Sequence, residues 1–269
     1  MNTALKRTLL STLVVPFALG VQSASAEMIT NWGYEVNSSF TDYSATGGTG
    51  VITPSDENRK LSWGLSDPQS SVAITDVAAD SGLMTNGDFV DGGVFTHTNN
   101  DLPVAGVALA SFDLTSTLTL TQVAPTGDNE FTDSRTFEGF FNETLNSAPC
   151  VVVPSNPACA DIFTIDNIDA LNFQEDGGIF LFVSPSFIID DYSYTVFLEL
   201  EGLSRLGSDV CNAAGASDDC VGLVTQEGGA TNFDTRFKIT AVPEPGTLAL
   251  LGLGLAGLGL SRRKKAAKA

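Results

Sequence analysis

The sequence predicts an all-β protein, an antiparallel β-sandwich of jelly-roll-like character, across its central region. Apolar and polar residues alternate with period two in several long runs, the pattern of half-buried strands. Turn clusters rich in Gly, Asn and Asp separate those runs. Between residues 27 and 241 no long stripe of helical period and no fixed-period repeat interrupts the pattern, which disfavours a helical bundle, a propeller or a solenoid.

The elements follow in order. Met28 to Phe40 carries Trp32, Tyr34, Val36 and Ser38 on one parity. Phe112 to Val123 alternates apolar and hydroxyl residues after Ser116, so one face is buried and the other wet. Gly178 to Ile189 is more continuously apolar and predicts a central strand buried on both faces. Tyr192 to Glu201 places Tyr194, Val196, Leu198 and Leu200 on one face, and Asn232 to Thr240 sets Phe233, Phe237 and Ile239 among polar neighbours. Turns are predicted at Gly47-Gly48, Asn86-Gly87, Asp91-Gly92-Gly93, Gly127-Asp128-Asn129, Asp176-Gly177-Gly178 and Gly228-Gly229.

Both ends of the chain carry targeting signals. Lys6 and Arg7 precede an apolar stretch, Leu9 to Val21, and Ala24-Ser25-Ala26 is a small-x-small cleavage site. Residues 1–26 therefore read as a secretory signal peptide cut after Ala26, and the chain as one exported through the Sec pathway. At the other end, Val242-Pro243-Glu244-Pro245 is followed by Gly246-Thr247, the apolar run Leu248 to Leu260, and the basic stop Arg262, Arg263, Lys264 and Lys265. Thirteen apolar residues fall short of the roughly 20 that a relaxed spanning helix needs. Gly252, Gly254, Gly257 and Gly259 weaken the helix further, each by about 1 kcal/mol against Ala. The basic stop belongs on the cytoplasmic side. The expectation is a short, replaceable anchor. Gly252 to Gly257 matches G-x-G-x-x-G by letter, but no strand precedes it and no phosphate-binding turn opens there. The chain thus divides into a signal peptide (1–26), an exported acidic β domain (27–241) and a sorting and anchor segment (242–269).

This tail resembles the C-terminal sorting signal of the PEP-CTERM proteins, which Gram-negative bacteria export and process at the cell envelope. The resemblance implies cutting at or near Pro243-Glu244-Pro245 by an exosortase-type membrane protease. It implies a transient stay in the inner membrane and a final place at the cell surface or outside the cell. In mid-chain, Thr96-His97-Thr98-Asn99 reads T-H-x-N. With Ile29 to Tyr34 and Leu61 to Gly64 upstream and Asn100 to Pro103 downstream, it is similar to the THxN group of PEP-CTERM proteins. With Thr96, His97 and Asn99 as its motif residues, that group bears on the location and fold of the chain and implies no activity.

Charge and cysteines agree with export. Residues 27–241 hold 31 acidic residues against six basic ones, a net charge of −25. Such a domain repels nucleic acid and anionic lipid and attracts divalent cations weakly. Cys150 and Cys159 enclose eight residues, and so do Cys211 and Cys220. Four cysteines allow three pairings; equal short spacing in an exported chain predicts the two local ones. A zinc site would want closer cysteines or nearby histidines, and His97 is the sole histidine.

No reaction is legible. There is no G-x-S-x-G elbow to give His97 a nucleophile. The densest acidic spots, Asp88 to Asp91, Asp128 to Glu130 and Asp166 to Asp169, do not match the EF-hand calcium loop. His97 is expected to be a structural anchor at a strand end, with Asn99 opening a polar turn. The first functional expectation is a non-catalytic surface or matrix protein associated with exopolysaccharide, without a cofactor. The alternative is a carbohydrate- or calcium-binding module, which exposed Trp32 or Trp63, or a closed carboxylate cage, would favour. A secreted hydrolase comes last and would need a deep pocket joining His97 to a carboxylate and a hydroxyl.

Overall fold

The computed structural model describes residues 27–100, 105–144, 150, 159–176 and 179–244. In chain order the strands are β1 (Asn31–Thr46), β2 (Thr53–Ser55), β3 (Lys60–Trp63), β4 (Ser70–Ile74), β5 (Val77–Met84), β6 (Val90–Asn99), β7 (Ala108–Ala124) and β8 (Glu130–Asn142). They continue with β9 (Asp161–Ile165), β10 (Phe173–Asp176), β11 (Ile179–Val183), β12 (Phe187–Ile189), β13 (Tyr192–Leu200), β14 (Ser204–Arg205), β15 (Val221–Thr225) and β16 (Gly229–Pro243). One short helix, α1 (Ser208–Ala214), lies between β14 and β15 and ends on Gly215 in the left-handed region.

Two antiparallel sheets face each other, as the alternating pattern predicts. One has the order β14-β15-β9-β8-β7-β1-β5, the other β10-β11-β13-β16-β6-β4-β3-β2, with β12 paired to β13. The chain crosses from sheet to sheet at each step from β4 to β7. Between the sheets, Phe40, Phe95, Phe112, Phe137, Phe163 and Phe182 belong to the larger buried cluster. A second cluster gathers Ile29, Trp32, Leu120, Tyr194, Phe237 and Ile239. An apolar cavity of about 150 Å3 among the described residues is lined mainly by Phe and Leu side chains, including Phe95, Phe112, Leu114 and Leu198.

Two expectations need correction. Gly178 to Ile189 is not one central strand: it splits into β11 and β12 around Ser184-Pro185-Ser186, and Ile179 and Ile188 are exposed. Pro185 has no amide hydrogen to give a ladder, and an apolar run alone does not fix a strand's place in the sheet. Asp91-Gly92-Gly93 is not a turn but part of β6. A Cβ on Gly92 would collide with the Thr235 hydroxyl, and one on Gly93 with the Thr75 carbonyl, so these glycines serve close strand approach. The ladder between β6 and β16 shifts register at the same place, between Asp234 and Arg236.

The disulfides pair as the spacing predicts, Cys150 with Cys159 and Cys211 with Cys220, with Cα separations of 5.4 and 5.8 Å. Cys211 and Cys220 are buried and form a small cluster with Ala216.

Candidate functional site

β6 alternates strictly: Phe95, His97 and Asn99 point inward, while Val94, Thr96 and Thr98 are only partly buried. Period two thus drives His97 into the gap between the sheets, where 1% of it stays exposed. The imidazole stacks on Trp63 at the end of β3, with centroids 6.1 Å apart and planes 11° apart, and meets Phe141 edge-on. Its Nδ1 lies 2.8 Å from the Thr225 hydroxyl at the end of β15. Its Nε2 lies 3.9 Å from Oδ2 of Asp161, the first residue of β9, beyond hydrogen-bonding distance.

Asp161 is fully buried, and the Thr144 amide donates to its Oδ1 at 2.8 Å. Around it stand Glu143, just past β8, and Glu227, in the turn between β15 and β16; the three carboxylates bring oxygens within 4.8 Å of one another. The Trp63 indole N–H donates to Oε2 of Glu143 at 2.8 Å. Burial, with the Glu143 and Glu227 charges, pushes the Asp161 carboxyl up to about 9, and burial pushes His97 down to about 4. Both shifts favour the uncharged forms, so the approach of Nε2 to Oδ2 is not an ion pair. Chemically, the arrangement offers carboxylate oxygens and one imidazole nitrogen to a cation. His97 and Asp161 are buried, Glu143 and Glu227 partly so, and the apolar cavity is lined by none of the four.

The sorting segment begins inside the fold. β16 runs on through Val242 and Pro243, which pair with Ser193 and Tyr192 of β13. The Glu244 amide donates to the Asp191 carbonyl at 2.7 Å. The strand therefore continues two residues beyond the boundary expected after Ala241. Residues 241–264 match the family model of the PEP-CTERM protein-sorting motif. The chain carries a PEP-CTERM sorting motif. Proteins with this motif are exported, processed at the membrane by exosortase, a membrane protease, and delivered to the surface or the extracellular space. No curated protein and no solved structure matches the chain.

Several predicted positions lie outside the described residues: Ala26 with the signal peptide, Pro245, the apolar run, and Arg262, Arg263, Lys264 and Lys265. Among the described residues no helix is long and apolar enough to cross a membrane. Thr96 sits on the outer face, its hydroxyl donating to Oδ1 of Asn232 at 2.9 Å. Asn99 does not open a turn: it is the last residue of β6 and is fully buried, because the alternation that buries His97 also buries it. Trp32 and Trp63 are both fully buried and offer no sugar platform. Sequence reasoning missed Glu143, Asp161, Glu227 and Thr225, which only strand pairing brings together. One signal was available: Asp161 opens Asp-Ile-Phe-Thr-Ile, a run buried at every position, where a carboxylate is out of place without a partner.

Proposed function

We propose that this protein is a non-catalytic surface or matrix component of a Gram-negative envelope, delivered by its own tail and held in contact with extracellular polysaccharide. The observation that carries this reading is the sorting motif joined without a linker to β16. In this scheme a Sec-type signal peptide is removed after Ala26. The Leu248 to Leu260 run then holds the chain in the inner membrane, with Arg262, Arg263, Lys264 and Lys265 inside, until exosortase cuts near Pro243-Glu244-Pro245. Burial of His97 and Asp161 supports the non-catalytic part, since general acid–base work needs a group within reach of substrate. Contact with polysaccharide is supported by a strip of paired hydroxyls on the outer face of β1, β7 and β8. Thr41 and Thr136 flank Thr115 at 3.0 and 2.9 Å, Thr117 faces Ser134 at 3.1 Å, and Thr119 faces Thr132 at 3.4 Å. Uncharged hydroxyls meet sugar hydroxyls without repulsion even on an acidic domain.

The test compares fractions from cells with and without the exosortase, by mass spectrometry of the native protein. The outcome expected is a mature form lacking Leu248 to Lys268 in the wild type and a full-length, membrane-held form without the protease. A surface form that keeps the tail in both strains overturns the reading. The polysaccharide part is tested by co-fractionation with purified exopolysaccharide, which Thr115→Val/Thr117→Val/Thr119→Val should weaken.

A further inference from the structure

We propose that Glu143, Asp161 and Glu227 hold one divalent metal ion of the manganese or zinc type, and that Nε2 of His97, which stands beside Asp161 and outside the carboxylate group, moves in as a further ligand and so clips the two sheets together. The ligands come from four places: β6 in one sheet, the end of β8 and the start of β9 in the other, and the turn that links β15 to β16. Three carboxylates within 4.8 Å repel one another unless protons or a cation intervene.

The histidine is a separate observation that points the same way. His97 is almost completely buried, its Nε2 has no hydrogen-bond partner among the described residues, and that atom is aimed at Oδ2 of Asp161, which is equally unpartnered. Buried polar atoms are rarely left so. Their 3.9 Å separation is too long for a hydrogen bond. It is close to that of two ligands of one ion, each about 2.0–2.2 Å from the metal and therefore roughly 3–4 Å apart.

The orienting bonds have the pattern of a metal site. Thr225 engages Nδ1, the Thr144 amide holds Oδ1 of Asp161, and the Trp63 indole holds Oε2 of Glu143, each at 2.8 Å. Such outer contacts are what orients the side chains of a metal site. In the tautomer with its proton on Nδ1, the ring donates to the Thr225 hydroxyl and Nε2 presents its lone pair. An imidazole nitrogen among carboxylates suits manganese or zinc better than calcium or magnesium, which take oxygen ligands. Thiolate competition is absent, since all four cysteines are paired.

The experiment uses the exported, processed protein without a histidine tag, stripped with EDTA and titrated with Mn2+ or Zn2+ by calorimetry and thermal melting. Expected are one ion per chain and a melting temperature raised by about 5–10 °C at an ion concentration near 100 times Kd. Both should vanish in Asp161→Asn, which keeps the side-chain shape while removing a charged ligand. His97→Gln should weaken binding roughly tenfold or more. If His97→Gln fails to fold, Asp161→Asn and Glu227→Gln, each checked for a cooperative melt, carry the test. The proposal is overturned if neither ion binds, which leaves shared protons as the account of the cluster. It is equally overturned if Asp161→Asn binds like the parent, which places the ion on the acidic surface, or if only Ca2+ binds and His97→Gln leaves that unchanged.

Discussion

The two tryptophans are equally buried and live in opposite electrostatic worlds. Trp32, near the end of the sandwich where β16 finishes, donates to the Thr85 hydroxyl at 2.9 Å, and that hydroxyl donates to the Ile29 carbonyl at 2.6 Å. The Ile29 amide in turn donates to the Tyr194 hydroxyl at 2.8 Å, and Tyr194 meets Trp32 edge-to-face. Every group in that chain is neutral and partnered. Trp63, near the end where β16 begins, donates instead to a carboxylate and stacks on an imidazole that faces another carboxyl. Burial therefore says little by itself about function. The informative difference is whether the polar groups beside the buried ring are satisfied by one another, as around Trp32, or left aimed at something else, as around Trp63.

That contrast can be broken by mutation, and the largest effect should come from the rings themselves. Trp32→Ala should lower stability by about 3–5 kcal/mol in denaturant titrations, equally with and without added divalent ion, because only packing is lost. Trp63→Ala should cost a similar amount in metal-free protein and should also weaken the response to metal. Equal metal responses in the two variants would erase the distinction between the two ends. Next come the disulfides. Replacing either pair by alanine should cost about 2–3 kcal/mol by loop closure, measured by melting of oxidised parent against variant. The Cys150–Cys159 variant should in addition loosen the cluster, since the Thr144 hydroxyl donates to the Cys159 carbonyl at 3.0 Å, two residues before Asp161. Tyr194→Phe should cost about 1–3 kcal/mol by stranding the buried Ile29 amide, with metal binding unchanged by calorimetry. The smallest change is expected at Thr96→Val, on the outer face of the same strand as His97: under about 0.5 kcal/mol, with the metal response intact.

Much of this was legible in the sequence. Alternation revealed β1, β7, β13 and β16, and spacing revealed the two disulfide loops, because both are local consequences of strand geometry and chain length. The tail was legible for the same reason: its motif, apolar run and basic stop are consecutive. The cluster was not. Glu143 and Glu227 lie in loops and look solvated in sequence, and they meet Asp161 only because β8, β9 and β15 pair side by side. His97 was read as an anchor, which its Thr225 contact fits. Its alignment with Asn99 on the inner face followed from parity, yet the polar run from Asn99 to Asp101 disguised it as a turn. Gly92-Gly93 misled for a related reason: a strand that needs close approach and a strand that stops use the same residue.

The chain enters and leaves the sandwich at the same end. The Ile29 amide is bonded to Tyr194, Tyr194 pairs with Ala241, and Glu244 closes on Asp191 beside it. From Glu244 to Leu248 is four residues, a reach of about 14 Å at most. Under the proposed sorting scheme the signal peptide and the anchor both leave from this end, so the Trp63 end would face away from the bilayer until exosortase releases the domain.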